Sequence, residues 1–416
     1  MTRVQSVDDR RSRALARVGA TPARAFQQLR ALMRSWAPCA PLAMRWPLPT
    51  GIMVFAGTAL VLLLRAPEKV LRAEFWADDA TFYTRALADG LVLDPHGGSP
   101  LLGIRLVALL ETWVDPSLAP LVGNVSALLV MAAVATFATR PCLPWSRTTG
   151  VIVAFGIALV PANFEVLGNL AHVIWPLALW TALLALTAPA TTRTGRLTEM
   201  AALAFTGLTS TPAVLMLPLF ARGPRYRLVT LAAVACVVAI MLVLQRSTRT
   251  TDMALLPEAI LERAILVPIV GDSVVSALKP QEILLVGIPV VLLVAAVAVR
   301  SPLRMWWAWL ALVMPVLGIL GTNETTAAIV GDPTVAPRYF WLAGVAHVVL
   351  IANGHRAAIG LALLLILGMS LEFRLPDAST GTWQTQSACI GRPTPCEIPV
   401  APGEPWAVKW QPRPSP

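Results

Sequence analysis

Apolar residues lie in long unbroken runs rather than in short alternating ones. Runs of about 17–25 apolar residues have the length of a bilayer-crossing helix. They cover 50–66, 117–139, 149–164, 173–189, 226–245, 282–299, 304–321, 339–353 and 357–371. The run 198–221 reads as one helix, or as two short ones broken at Thr209-Ser210-Thr211-Pro212. The run 100–113 is short and carries Arg105 and Glu111, which places it at the membrane interface rather than across it. The pattern predicts an all-α polytopic membrane protein with about ten or eleven membrane segments.

Composition agrees. Of 416 residues, 56% are hydrophobic and only 13% charged, against about 25% charged in soluble domains. The net charge of +10 is not spread evenly. Residues 1–49 hold nine arginines against Asp8 and Asp9. A basic tail before the first span is expected in the cytoplasm, against anionic lipid, and is no nucleic-acid signal. This basic stretch is too long for the n-region of a cleaved signal peptide, and no small-x-small site follows the first apolar run, so a signal-anchor helix is expected.

Arginine positions orient the rest. If 198–221 forms a hairpin and 100–113 does not cross, Arg140, Arg147, Arg193, Arg196, Arg222, Arg225, Arg227, Arg300, Arg304 and Arg356 all fall inside. Choosing otherwise for either run flips everything after it. Three domains result: a cytoplasmic tail 1–49, a transmembrane domain 50–371, and an extracytoplasmic tail 372–416. The protein is then a multi-pass plasma (inner) membrane protein with its C-terminus outside. The last segment is Pro-rich and expected to be irregular. Within it Cys389 and Cys396 flank a short Pro/Gly segment, and an oxidising exterior permits a disulfide there; two free thiols are the alternative. Cys39 and Cys142 fall inside, Cys236 mid-membrane, and no C-x-x-C spacing occurs.

The first outer loop, 67–116, is longer than a connector needs to be. From Asp78 onward Phe82, Tyr83, Ala86 and Leu87 form one helical stripe, and Gly90 is a natural C-cap. Asp79 shares the apolar face, where a carboxylate is costly without a task or partner. The bland reading makes Asp78 an N-cap and Asp79 a dipole-favouring acid.

The stretch Phe75-Trp76-Ala77-Asp78-Asp79-Ala80-x-Phe82, followed by Ala86 and Gly90, resembles the first outer loop of bacterial glycosyltransferases of the GT-C superfamily. Asp94-Pro95-His96-Gly97-Gly98-Ser99-Pro100 and Ile104-Arg105-Leu106 are similar to the family's next segments. Pro161-x-x-x-Glu165, Asn169 and Trp175 resemble a later outer-loop pattern. Pro337-Arg338-Tyr339-Phe340 resembles an Arg-Tyr-aromatic element, and Ile398-Pro399-Val400-x-Pro402 with Trp406 a short closing strand. Two departures stand out: Asp78 replaces the usual Glu, and His96 and Ser99 replace expected aromatics. The resemblance implies a GT-C-like helical bundle with amphipathic helices in its first loop. It also implies an inverting transfer of sugar from a polyprenyl-phosphate donor to an envelope glycan or lipid acceptor at the outer face.

Such a transfer needs a base for the acceptor hydroxyl and cations for the departing phosphate. The resemblance assigns Asp79, with Asp78 as alternate, to the first task. Arg105 and Arg338, with Tyr339, are the expected phosphate partners; their alternatives are snorkelling, or for Arg105 a pairing with Glu111. Glu165, Asn169 and His172 would bind sugar hydroxyls or merely cap helix ends. His96 would line the acceptor site or be a solvated loop histidine. No P-loop, HExxH, GxSxG or dinucleotide fingerprint occurs, so neither cofactor nor metal is expected, although two adjacent aspartates are a conceivable metal pair. The rival functions are a transporter or flippase of lipid-linked sugars, which favours charges buried mid-span, and a non-catalytic membrane scaffold.

Overall fold

The computed structural model describes residues 48–91, 95–96, 99–161, 164–244, 252–322, 324–332, 335–354, 358–377, 379–390, 392–403 and 406–410. The basic tail, with Cys39, and Arg356 lie outside the described residues. The longer helices are α1 (Leu48–Arg65), α2 (Ala77–Asp89), α3 (Leu102–Glu111), α4 (Ala119–Phe137), α5 (Arg147–Leu159), α6 (Ile174–Leu186), α7 (Arg193–Thr209), α8 (Arg225–Leu244), α9 (Pro280–Arg300), α10 (Arg304–Gly321), α11 (Trp341–Ala352) and α12 (Ile359–Leu371). The chain is thus mostly helical, as an all-α membrane protein should be.

Each expected span coincides with a helix. Among the described residues, four stretches are long and apolar enough to cross a membrane: Ala119–Phe137, Arg225–Val243, Gln281–Arg300 and Arg304–Gly321. Thr50–Arg65, Arg147–Leu159, Leu170–Leu186, Thr211–Phe220, Pro337–Ala352 and Ile359–Leu371 are apolar but shorter. α8, α9 and α12 carry exposed Val229, Ile240, Leu285, Leu292 and Leu363, an apolar surface of the kind a membrane covers. The run 100–113 is the ten-residue α3. The run 198–221 breaks at Ser210, whose hydroxyl caps the next short helix at Ala213 N (3.1 Å) and donates to Ile174 O (2.6 Å).

Buried arginines tie the helix ends together. Arg65 donates to Phe373 O (2.9 Å), Glu372 O (3.0 Å), Ala158 O (2.7 Å) and Val160 O (3.2 Å), joining the ends of α1, α5 and α12. These carbonyls are left over where helices stop. Toward the other end of α6, Arg227 at the start of α8 forms a fork with Glu199 of α7 (2.8 and 2.9 Å) and donates to the carbonyls of Leu184, Thr187 and Ala188 (each 3.0 Å).

The C-terminal tail is ordered where the Pro-rich sequence predicts irregularity. Leu375 N donates to Arg65 O (3.1 Å), so the tail leaves directly from the α1–α12 junction. A short helix Trp383–Gln386 follows, then strands β1 (Cys396–Pro399) and β2 (Ala407–Trp410), antiparallel with Cys396 opposite Trp410 and Pro399 opposite Ala407. Cys389 and Cys396 are disulfide-bonded. Pro393 and Pro395 precede β1, Pro399 ends it and Pro402 follows it, and Trp383, Ile390, Ile398, Val400 and Val408 bury themselves against Phe75, Ala80, Tyr83 and Ala119. That apolar face, not composition, is what orders the tail.

Candidate functional site

The expected amphipathic helix is α2. It buries Phe82, Tyr83 and Ala86, and Gly90 ends it at φ +69°, a conformation natural to glycine. Its two aspartates take different roles, because successive helical residues point about 100° apart. Neither caps α2: the N-cap position is Trp76, with no side-chain cap.

Asp79 is 1% exposed, and both of its oxygens are engaged. One accepts from Leu170 N (3.0 Å), the other from Ala171 N (2.5 Å). These are free N–H groups at the first turn of the helical stretch leading into α6. Asp79 is therefore the clamp between the first loop and the 165–173 loop, rather than an acid open to an incoming hydroxyl. Asp78 is the open one, its side chain 42% exposed with Oδ1 3.7 Å from His96 Nε2. The His96 contact, opposed by burial, holds Asp78 below the ordinary carboxylate range, and His172 and Arg338 act the same way.

The neighbouring loop is knit around Glu165. Its carboxylate accepts twice from Arg338 Nη1 (both 2.8 Å). Its carbonyl accepts from Asn169 Nδ2 (2.5 Å) and lies 2.6 Å from His172 Nδ1. Arg338 also lies over the Tyr339 ring (4.9 Å), which packs edge-on against Trp175 (5.5 Å). Asn169, expected at a sugar hydroxyl, is fully buried with both ends of its amide occupied: Glu165 takes the NH₂ and Lys69 Nζ binds Oδ1 (2.5 Å). It holds the loop and is not available to a sugar. Glu165 is likewise committed to Arg338. His172 is buried behind the same carbonyl.

Arg105 is buried, donates to Pro100 O (3.2 Å) and lies over Phe82 (5.7 Å). Phe82 in turn packs edge-on against His96 (5.0 Å). Arg105, Phe82, His96 and Asp78 thus form one wall. The pairing of Arg105 with Glu111 does not occur, since neither Glu111 oxygen has a hydrogen-bond partner among the described residues. Glu111 is wholly buried, and the room for its carboxyl is given by Gly123, where any Cβ would collide with it. Gly97 and Gly98 lie outside the described residues.

Comparison with protein-family models, curated proteins and solved structures gives no match. The site is therefore read from its own geometry.

That geometry includes groups the sequence reading missed. Lys69, one of three lysines in the chain, runs past Gly168, over the Trp76 ring (4.7 Å), to Asn169. Burial lowers its amine to about 8, against the pull of four carboxylates, Asp79 foremost. A lysine placed just after a first helix that the sequence expects to run outward, against the inside bias of positive charge, was the available signal. Lys69, Trp76 and Phe164 also line a small open groove together with the tail residues Asp377, Ser379 and Ala401.

Burial drives the Asp79 carboxyl up to about 7, outweighing the two N–H donors and Lys69 that pull it down, while the charge of Asp78 adds to the rise. Glu111 is raised well above its ordinary value by burial and then by Asp79. A carboxyl that holds its proton more tightly folded than unfolded favours the folded state fully below its unfolded value. That contribution is lost as pH rises to the folded value. Stability should therefore fall from about pH 4 to about pH 7, and Asp79→Asn should flatten part of the fall. Thermal denaturation of detergent-purified protein across that range measures it, and an unaltered slope in the variant removes Asp79 as a source.

Proposed function

We propose that the chain is an inverting membrane glycosyltransferase of GT-C type, moving a sugar from a polyprenyl-phosphate donor to a glycan or lipid acceptor at the outer membrane face. The observation that carries this reading is a half-exposed, ionised carboxylate, Asp78, held beside His96 and within the field of Arg338. Asp78 is the base in this reading: it takes the proton of the acceptor hydroxyl as that oxygen bonds to the anomeric carbon. The bond from that carbon to the phosphate oxygen breaks, and the lipid phosphate leaves with the electron pair. Arg338 and Arg105 are the cations for that phosphate. Asp79 positions the two loops and touches no substrate. The GT-C resemblance of 75–90 and 337–340 supports the same assignment, with the roles of the two aspartates exchanged relative to the expectation from sequence.

A donor anchored in the bilayer must meet its enzyme where headgroups lie, and the apolar helices end on this shelf of polar residues. The direct test supplies purified protein with polyprenyl-phosphate sugars from a native lipid extract and follows label into envelope glycans. Transfer that is equal with and without the protein rejects the reading. In that assay Arg338→Ala, made together with Glu165→Gln so that no unpaired carboxylate remains, should raise the donor KM about tenfold or more. That is the scale of one charged hydrogen bond, roughly 1.5 kcal/mol. An unchanged donor KM takes Arg338 out of the phosphate site.

A further inference from the structure

We propose that the Cys389–Cys396 disulfide is a redox-controlled latch on the segment that carries Asp78 and Asp79. The two regions are some three hundred residues apart in sequence, yet the tail braces the residues that lead into the segment. Ala77 N donates to Ala401 O (2.7 Å) and Ala401 N donates to Phe75 O (3.1 Å), a parallel bridge formed just ahead of the aspartates. Glu74, 5% exposed, accepts from Thr380 N (2.6 Å) and Thr380 Oγ1 (3.0 Å), and Gln384 Nε2 donates to Ala73 O (2.6 Å). Trp383, fully buried, packs edge-on against Phe75 (4.7 Å) and Tyr83 (6.2 Å). Every residue from Ala73 to Ala77 except Trp76 thus bonds to or stacks on the tail, and Trp76 shares the bridge.

Ala77 shows what this support does. It sits at φ +22°, where a non-glycine residue is strained. Its N–H is held by Ala401, and the next two residues are Asp78 and Asp79. Such a conformation persists only while its surroundings impose it.

The tail has little to hold itself. Its sheet is one hairpin of two four-residue strands, and an isolated two-stranded hairpin is marginal in water. The disulfide joins the end of the Trp383–Cys389 helical turn to the first residue of β1. It therefore couples the two parts of the tail that grip the segment: Trp383 on one side, Val400 and Ala401 on the other. Reduction by an external dithiol transfers two electrons and two protons to the pair, leaves two thiols and closes the reductant to its own disulfide. The hairpin is then free to part from Trp383, and Ala77 can relax. On the reading that the tail faces the exterior, the site is complete only after the tail has reached an oxidising compartment.

The test is hydrogen exchange of the full-length protein in detergent, with Cys39, Cys142 and Cys236 replaced by serine, before and after dithiothreitol, and in Cys389→Ser/Cys396→Ser. Mass-tagging of the freed thiols verifies reduction. Amides of 77–89 and of 170–173 should exchange at least tenfold faster when reduced, those of 119–137 should not change, and reoxidation should restore the slow rate. Equal exchange of 77–89 in both states overturns the latch. So does acceleration throughout the protein, which would make the bond a support of the whole fold. No transfer assay enters, so the proposal stands or falls separately from the assigned reaction.

Discussion

Asp78→Asn is expected to lower sugar transfer by about 10²–10⁴-fold, the usual contribution of a positioned general base, with membrane insertion and abundance unchanged. The carboxamide has the carboxylate's shape and the side chain is 42% exposed, so the fold should move by less than about 0.5 kcal/mol. The pH profile supplies an independent reading of the same assignment. Asp78 is held below the ordinary carboxylate range by His96. If Asp78 is the base, the acid limb of activity lies below that range and activity is flat across neutrality. If Asp79 were the base, half the activity would be lost near its value of about 7. Retained transfer in Asp78→Asn, or an acid limb near neutrality, would move the chemistry to Asp79.

The helices and the first-loop motif were legible because their signals are local. An unbroken apolar run fixes a helix whatever it packs against. The stripe Phe82, Tyr83, Ala86 with Gly90 after it specifies α2 within a few residues, and the structure starts that helix at Ala77. The burial of Asp79 also followed from the stripe. Which aspartate is reachable did not, because it depends on the free N–H groups of Leu170 and Ala171 some ninety residues away. Asn169 reads as a sugar ligand until Lys69 is seen to occupy its Oδ1. The tail misled for a related reason. Nine prolines in it argue for irregular chain, but Trp383, Ile398 and Val408 at long intervals match a surface, built by Phe75 and Tyr83, that local pattern cannot reveal. Span length is the reverse case. The apolar runs predict about ten or eleven membrane segments; among the described residues four helices are long and apolar enough to cross a membrane and six further apolar helical stretches are shorter, the run 198–221 being cut at the Ser210 cap.

Arg227→Ala is expected to cost about 3–5 kcal/mol of stability, the range for removing one partner of a buried ion pair. The two side chains are 1% and 8% exposed. Removing the arginine strands the Glu199 carboxylate with, among the described residues, only the Tyr226 hydroxyl still donating to it. It also orphans the carbonyls of Leu184, Thr187 and Ala188. The penalty is the desolvated charge left behind rather than the worth of the bond itself, so the double variant Arg227→Leu/Glu199→Leu should recover much of the loss. Activity separates this lock from the site. Arg227 bonds to the last turn of α6, while Asp79 binds the turn that precedes its first residue, about 20 Å away along a thirteen-residue helix. The folded fraction of Arg227→Ala should therefore transfer sugar at the parent rate per molecule when assayed well below its melting temperature. Denaturant titration gives the stability loss, and a single-variant cost under about 1 kcal/mol would show that the helix ends at α6, α7 and α8 are held by packing alone.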